Sequence, residues 1–303
     1  MAISRNQLVK ELEPGLNALF GLEYKQYENQ SAEIYTTESS DRAFEEEVML
    51  SGFANAYVKP EGSGVAYDTA QETFTARYTN ETIALAFAIT EEAIEDNLYD
   101  RLASRYTKAL ARSMSQTKQV KGAAPLNNGL PSLSNFTSGD GQQLFSTAHP
   151  TIAGTFQNTL TTQADLNETS LEQALIDIAA MTDERGLKIA ARGVKMVIPS
   201  ALQFTAERLM KSAGRTGTAD NDINAVVSKG MIPQGYTVNH YLTDTDAFFI
   251  KTDVPNGLKH FVRAPMKTAM EGDFTTGNVR YKARERYSFG FSDWRGIFGS
   301  PGA

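Results

Sequence analysis

Apolar positions are sparse along the first fifty or so residues and are broken by Pro14, Gly15 and Gly21, a pattern that predicts an arm and not a domain. Ser4-Arg5-Asn6-Gln7 fits a capping box, and Leu8 and Leu12 follow four apart, so one short helix is expected, limited by Pro14. From 24 to 40 the chain is polar with scattered Tyr24, Tyr27, Ile34 and Tyr35, which calls for another surface to lie on. Extended patterning follows. Residues 53–59 read as a strand, Pro60-Glu61-Gly62-Ser63-Gly64 as a flexible tip, and 72–89 as a long return strand. In that return, Phe74, Ala76 and Tyr78 lie on one parity and Ile83, Leu85, Phe87 and Ile89 on the other, so a bend is expected between Thr79 and Thr82. The hairpin's outer part has little apolar material for its second face and is marginal in isolation.

Thr90 is placed to cap the strongest helical pattern, with Glu91 and Glu92 in the first turn. Ile94, Leu98, Leu102, Tyr106, Leu110 and Met114 recur every four residues, and no proline or glycine intervenes before Gly122. A helix over 91–121 would be about 46 Å long, a structural beam. Residues 123–165 are rich in turn formers. A capping box at Thr169-Ser170-Leu171-Glu172 then opens a helix with Leu171, Leu175, Ile178 and Met181 on one face. Residues 194–198 read as a strand ended by Pro199, and Ser200 caps a further helix carrying Leu202, Phe204, Leu209 and Met210. Strands are expected around 237–242 and 247–251, joined by Asp244-Thr245-Asp246, and from Leu258 onward the chain is largely β. The fold class is α+β.

Composition narrows the chemistry more than the fold. The chain has 303 residues, of which 41% are hydrophobic and 21% charged, ordinary globular usage that argues against wholesale disorder. Net charge is -7, so a general attraction to nucleic acid is not expected and any DNA contact would be local. The absence of cysteine removes disulfides, thiolate metal sites and Cys nucleophiles and fits intracellular assembly. No signal-peptide pattern or run of about 18 apolar residues is present, so no membrane partner is expected.

Catalytic signatures are missing: there is no phosphate loop, G-x-S-x-G elbow or H-E-x-x-H. His149, His240 and His260 lie far apart, and Ser115-Gln116-Thr117-Lys118 matches S-x-x-K without its companion motifs. Asp244 with Asp246, or Asp220 with Asp222, supplies too few oxygens for a hard cation and reads as turn chemistry. No enzyme activity, cofactor or metal is expected. One charge pattern is sharper. Arg280, Lys282, Arg284 and Arg286 alternate, so on a strand all four project from one face. They fit a solvated face, an intersubunit ladder meeting acidic residues such as Glu45, Glu46 and Glu47, or a local DNA-facing stripe.

Several segments resemble tailed-bacteriophage major capsid proteins. They are Gly52-Phe53-Ala54, Lys59-Pro60-Glu61-Gly62, Tyr67-Asp68-Thr69-Ala70 and the run from Thr90 to Tyr99. Leu144-Phe145-Ser146-Thr147-Ala148-His149-Pro150 is similar to a stretch of the Mu-like major head subunit group. The end, Glu285-Arg286-Tyr287-Ser288-Phe289-Gly290 and Asp293-Trp294-Arg295-Gly296-Ile297-Phe298-Gly299-Ser300, looks like the C-terminal strand and tail of the same proteins. The resemblance implies an HK97-like subunit: an N-terminal arm over 1–51, an extended E-loop hairpin over 52–89 and a peripheral domain over 90–164 with a spine helix at 91–121. An axial domain over 165–250 and returning strands with a tail over 251–303 complete it.

The implied function is a structural head protein that self-assembles as hexamers and pentamers into an icosahedral shell around double-stranded DNA. It would be made in the host cytoplasm with a separate scaffolding protein and a portal, and with a possible decoration protein. Alternatives are an encapsulin-like nanocompartment shell and a hydrolase with an unrecognised site. Expected intersubunit contacts are the cationic row, Glu45, Glu46 and Glu47, and the hairpin residues Tyr57, Lys59 and Glu61. Lys59 is the lone hairpin lysine and nothing marks a crosslinking partner for it, so no covalent crosslink is expected.

Overall fold

A computed structural model describes residues 5–90, 92–93, 99–130, 139–214, 222–273 and 275–303. Its first helix, α1 (Arg5–Gln26), runs straight through Pro14, so the expected short helix is corrected to a 22-residue one. A mid-helix proline costs about 3 kcal/mol. The cost is offset downstream, where Leu16 and Phe20 are buried against Ala103, Leu110, Ala111 and Met114 of the second helix, α2 (Tyr99–Asn128), and against Tyr281 and Ala283. Ile34 and Tyr35 enter the main core, and the Tyr35 hydroxyl donates to the Gly122 carbonyl at 2.7 Å, so its own chain supplies the surface it lies on.

Four strands form the longer sheet in the order β1 (Thr36–Ser39), β10 (Leu258–Gly272), β11 (Val279–Phe291), β4 (Glu81–Ile89). β1 is parallel to β10 and the other pairs are antiparallel. α1 and α2 cover one face through the cluster around Tyr281 and Ala283. The hairpin strand β3 (Glu72–Thr79) pairs with β2 (Phe44–Leu50), whereas 53–59, expected as its partner, forms no strand. The bend between β3 and β4 falls at Asn80, within the expected span. There its side-chain amide donates to Ser40 and to the Arg42 carbonyl, and its amide nitrogen to the Ala43 carbonyl.

α2 continues past Gly122 and through Pro125. Gly122 is a packing residue and not a terminator: a Cβ there would meet the Ser31 Cβ at 2.7 Å. Leu110 and Met114 of the expected apolar stripe are buried, while Ile94 and Leu98 lie outside the described residues.

The second sheet has the order β12 (Ile297–Ser300), β9 (Phe248–Thr252), β7 (Gly193–Ile198), β8 (Tyr236–Val238). α3 (Glu168–Ala180) packs Leu171, Leu175 and Ile178 into this core, as its periodicity requires, but its capping box is Asn167 with Ser170, two residues earlier than expected. α4 (Gln203–Lys211) buries Ala206 and Leu209 and leaves Phe204 exposed, and the short α5 (Ala225–Ser228) follows. A small hairpin, β5 (His149–Thr151) with β6 (Gly154–Phe156), lies between α2 and α3 in sequence. Buried Phe298 on β12 ties the chain's end into this core.

Candidate assembly surface

Along the first half of β11, from Val279 to Arg286, the alternation holds. Val279, Tyr281, Ala283 and Glu285 are buried, whereas Arg280, Lys282 and Arg284 are exposed on the face turned away from the helices, with Arg286 partly buried at the row's end. The row exists as the sequence predicted. Its flanks are short: Ala88, Ala86, Ala84 and Thr82 of β4 lie opposite the four cations in register, so the long cationic side chains stand above a low shelf. Arg280 is paired within the chain to Asp273. Among the described residues, Lys282, Arg284 and Arg286 have no ion-pair partner.

The acidic triplet proposed as the row's counterpart is engaged at home. Glu45 accepts from the Ser40 hydroxyl at 2.8 Å, which with nearby backbone donors holds its carboxyl below the usual range. Glu46 pairs with Arg77 across the hairpin at 3.7 Å. Glu47 turns inward and binds the Lys259 ammonium and the Ser292 hydroxyl, which also contacts the Tyr78 hydroxyl. Lys259 reaches Glu38 at 3.1 Å too, and these two carboxylates keep its pKa raised despite burial. Glu47 therefore clamps the hairpin base to the long sheet, while Glu45 and Glu46 are held by Ser40 and by the hairpin's own Arg77.

Beyond that clamp the hairpin changes character. Residues 53–70 contain no strand or helix, and Tyr57, Val58 and Tyr67 are exposed by 77, 94 and 98%. Phe53 and Val65 are exposed as well, as are Lys59 and Glu61. Few bonds brace this segment: Asp68 accepts from the Ala54 amide at 2.8 Å, and Arg185 donates to the Thr69 carbonyl at 2.6 Å. Free subunits rarely leave large apolar side chains this open in one contiguous segment, and such surface marks interaction sites.

Sequence reasoning missed the anchor under the hairpin. Arg295, fully buried, donates to Glu184 at 2.7 Å, to Asp293 at 3.2 Å and to the Thr182 carbonyl at 2.7 Å, with the Met49 sulfur of β2 at 3.8 Å. Its guanidinium lies 4.3 Å over the Trp294 ring, on which His149 stacks at 4.4 Å. Burial raises the Asp293 carboxyl, an effect that Arg295 opposes. The signal available was the adjacency Asp293-Trp294-Arg295, two charges flanking the chain's one tryptophan.

Candidate catalytic residues are absorbed by structure. His149 binds Asp140 at 2.7 Å through Nδ1 and Asn158 at 3.2 Å through Nε2, so both ring nitrogens are committed. His240 contacts Gln30. His260 stacks on Phe289 at 4.2 Å, and burial pulls its pKa down to about 4, with Lys118 adding to the effect. Lys118, the end of the S-x-x-K match, pairs with Glu285 at 3.4 Å, whose carboxyl burial raises. The Asp246 amide donates to Asp244, a turn bond, and Asp220 lies outside the described residues. Among the described residues no cluster of three or more His, Asp or Glu could hold a metal, and no helix is long and apolar enough to cross a membrane.

Comparison with known proteins agrees with this geometry. Solved structures share the fold at low identity. The virus-like particle from Pyrococcus furiosus aligns with a TM-score of 0.52 at 10% identity over 94% of this chain and 97% of that one. The capsid of an empty GTA particle gives 0.54 at 12%, covering 90% of each chain, and the capsid of Myoviridae phage XM1 gives 0.52 at 11%, covering 89% of each. No curated protein matches the sequence. The phage capsid protein family matches residues 72–299, most of the chain, including the return limb of the hairpin, α2 and, apart from β1, the strands of the two four-stranded sheets. With that match and the HK97-like arrangement of hairpin, long helix and two sheets, the chain belongs to the phage capsid protein family and is a structural major capsid subunit.

Proposed function

We propose that this subunit assembles as hexamers and pentamers into an icosahedral shell around double-stranded phage DNA, built in the host cytoplasm with a separate scaffolding protein and a portal. In this reading the hairpin tip, with Tyr57, Lys59 and Glu61, is the E-loop arm laid on a neighbour, α2 is the spine, and the second sheet is the axial domain. The observation that carries it is the tip itself: Tyr57, Val58 and Tyr67 are exposed on a subunit whose hairpin base is closed by the ion pairs of the buried Lys259. Burying each such side chain contributes roughly 1.5–3 kcal/mol, available once a neighbour covers it.

The cationic row is the counterpart surface. Because Glu45, Glu46 and Glu47 are engaged within the chain, the row's acidic partners are the exposed Glu61 and Glu72 of a neighbouring hairpin. Electron microscopy of the protein expressed with its scaffold should show closed shells of hexamers and pentamers, and particles from infected cells should hold genome-length DNA. A persistent monomer would refute the shell, and particles without nucleic acid would refute the DNA cargo. Arg284→Glu should lower particle yield while the subunit stays soluble; unchanged yield would remove the row from the interface.

A further inference from the structure

The sheet edges of this subunit differ in how they are guarded. Exposed strand edges template pairing with other chains, and proteins blunt them with short length, charge, proline or bulges. β1, β8 and β12 are only four, three and four residues long. β2 has seven residues, but it carries Glu45, Glu46 and Glu47 and breaks register against β3 between Val48 and Leu50. Beyond Glu81, β4 has none of these guards among the described residues. It is nine residues long, ends the order β1-β10-β11-β4, and pairs with β11 from Glu81 to Ile89 without a register break. From Thr82 to Ile89 it contains no charge and no proline, and Ala84, Leu85 and Ala86 are exposed.

The same chain holds the complementary element. Residues 53–59, Phe53-Ala54-Asn55-Ala56-Tyr57-Val58-Lys59, include the strand formers Phe53, Tyr57 and Val58 and contain neither glycine nor proline. Among the described residues the run has no ladder partner; the Ala54 amide donates to Asp68 and no strand is formed. We infer that residues 53–59 of one subunit add as a further strand to the open β4 edge of a neighbouring copy.

Main-chain bonds would supply affinity; on the added strand Ala54, Ala56 and Val58 would lie on the face of the small-residue shelf of Ala84, Ala86 and Ala88, while Phe53 and Tyr57, on the opposite face, would extend the apolar side that exposed Leu85 leaves open. A second copy is the occupant that the layout favours. Every subunit carries one donor run and one acceptor edge at different places, so each gives once and receives once, and such heterologous contacts build rings when the rotation between copies closes. Charge agrees. The cationic row lies one strand in from β4, about 4.8 Å away in the sheet, so a strand added there brings the neighbour's Glu61 toward unpaired Lys282 and Arg284.

This inference rests on the shell reading and has its own test. The chain contains no cysteine, so introduced pairs report cleanly. Ala86→Cys would be combined with Ala54→Cys, Ala56→Cys or Val58→Cys, and assembled shells oxidised. At least one combination should give a denaturation-resistant ladder extending to pentamers and hexamers. Mixing the two single variants should give disulfide dimers containing one of each. Leu85→Lys, at an exposed position, should abolish shell formation while the subunit remains soluble with unchanged circular dichroism. If shells form but no combination crosslinks, or if Ala86→Cys joins only a scaffold or decoration protein, strand addition between copies is overturned and the shell reading stands. If the parent protein never oligomerises, both fall together.

Discussion

The base and the tip of the hairpin are stretches of one chain a few residues apart, yet they satisfy their polar and apolar groups in opposite ways. At the base, Glu47, Lys259, Ser292 and Tyr78 form one connected set, and Arg295 fixes Met49 from below. At the tip, aromatic side chains face water and residues 53–59 form no ladder. Folding completes the base, because a buried charge without its partner costs several kcal/mol. The tip carries no such penalty, since water satisfies its backbone, so it can wait for a neighbour. The contrast separates what a subunit needs to fold from what it needs to assemble.

Substitutions should divide along the same line. The largest effect is expected at the anchor: Trp294→Ala or Arg295→Ala should destabilise the subunit by about 3–5 kcal/mol in urea unfolding, through a cavity or a stranded Glu184. Next is a pH effect at His260, whose folded pKa near 4 lies below its ordinary 6.5. The folded state holds this ring neutral while the unfolded chain protonates it. Its contribution is therefore present above 6.5 and is lost as pH falls toward 4, up to about 3 kcal/mol. His260→Asn should flatten that slope, measured as urea midpoints from pH 7 to 4. Glu285, raised by burial, acts with the opposite sign and gains stability as pH falls, so it cannot mimic the loss.

A smaller cost, about 1–3 kcal/mol, is expected for Glu47→Ala, which leaves the buried Lys259 with Glu38 as its remaining carboxylate partner. The smallest stability change belongs to the tip. Tyr57→Ser with Tyr67→Ser should shift unfolding by no more than about 0.5 kcal/mol. The same pair should abolish shells in electron microscopy. If it instead destabilised the subunit as much as Glu47→Ala, the separation of base from tip would be wrong.

Local periodicity carried much of the fold. The α3 apolar face, the strand ended by Pro199, the bend near Asn80 and the alternation of β11 all follow from spacing that backbone geometry imposes within a few residues. The cationic row was readable for the same reason. What misled was any residue whose role is set by a distant partner. Gly122 reads as a helix terminator until Ser31 is seen pressed against it. Pro14 reads as a stop until Leu16 and Phe20 are seen buried beyond it. β2 was overlooked because its alternation is inverted: Glu45, Glu47 and Met49 face inward while Phe44, Val48 and Leu50 face out.

Sequence alone thus determined most of the elements, the positive row and the absence of catalytic motifs, since these depend on neighbours along the chain. Only the tertiary structure decided that Glu47 clamps the hairpin base to the long sheet, that Trp294 and Arg295 anchor the hairpin, and that among the described residues β4 ends its sheet without a partner strand. Each of these depends on a contact between residues dozens to hundreds of positions apart, which no local pattern encodes.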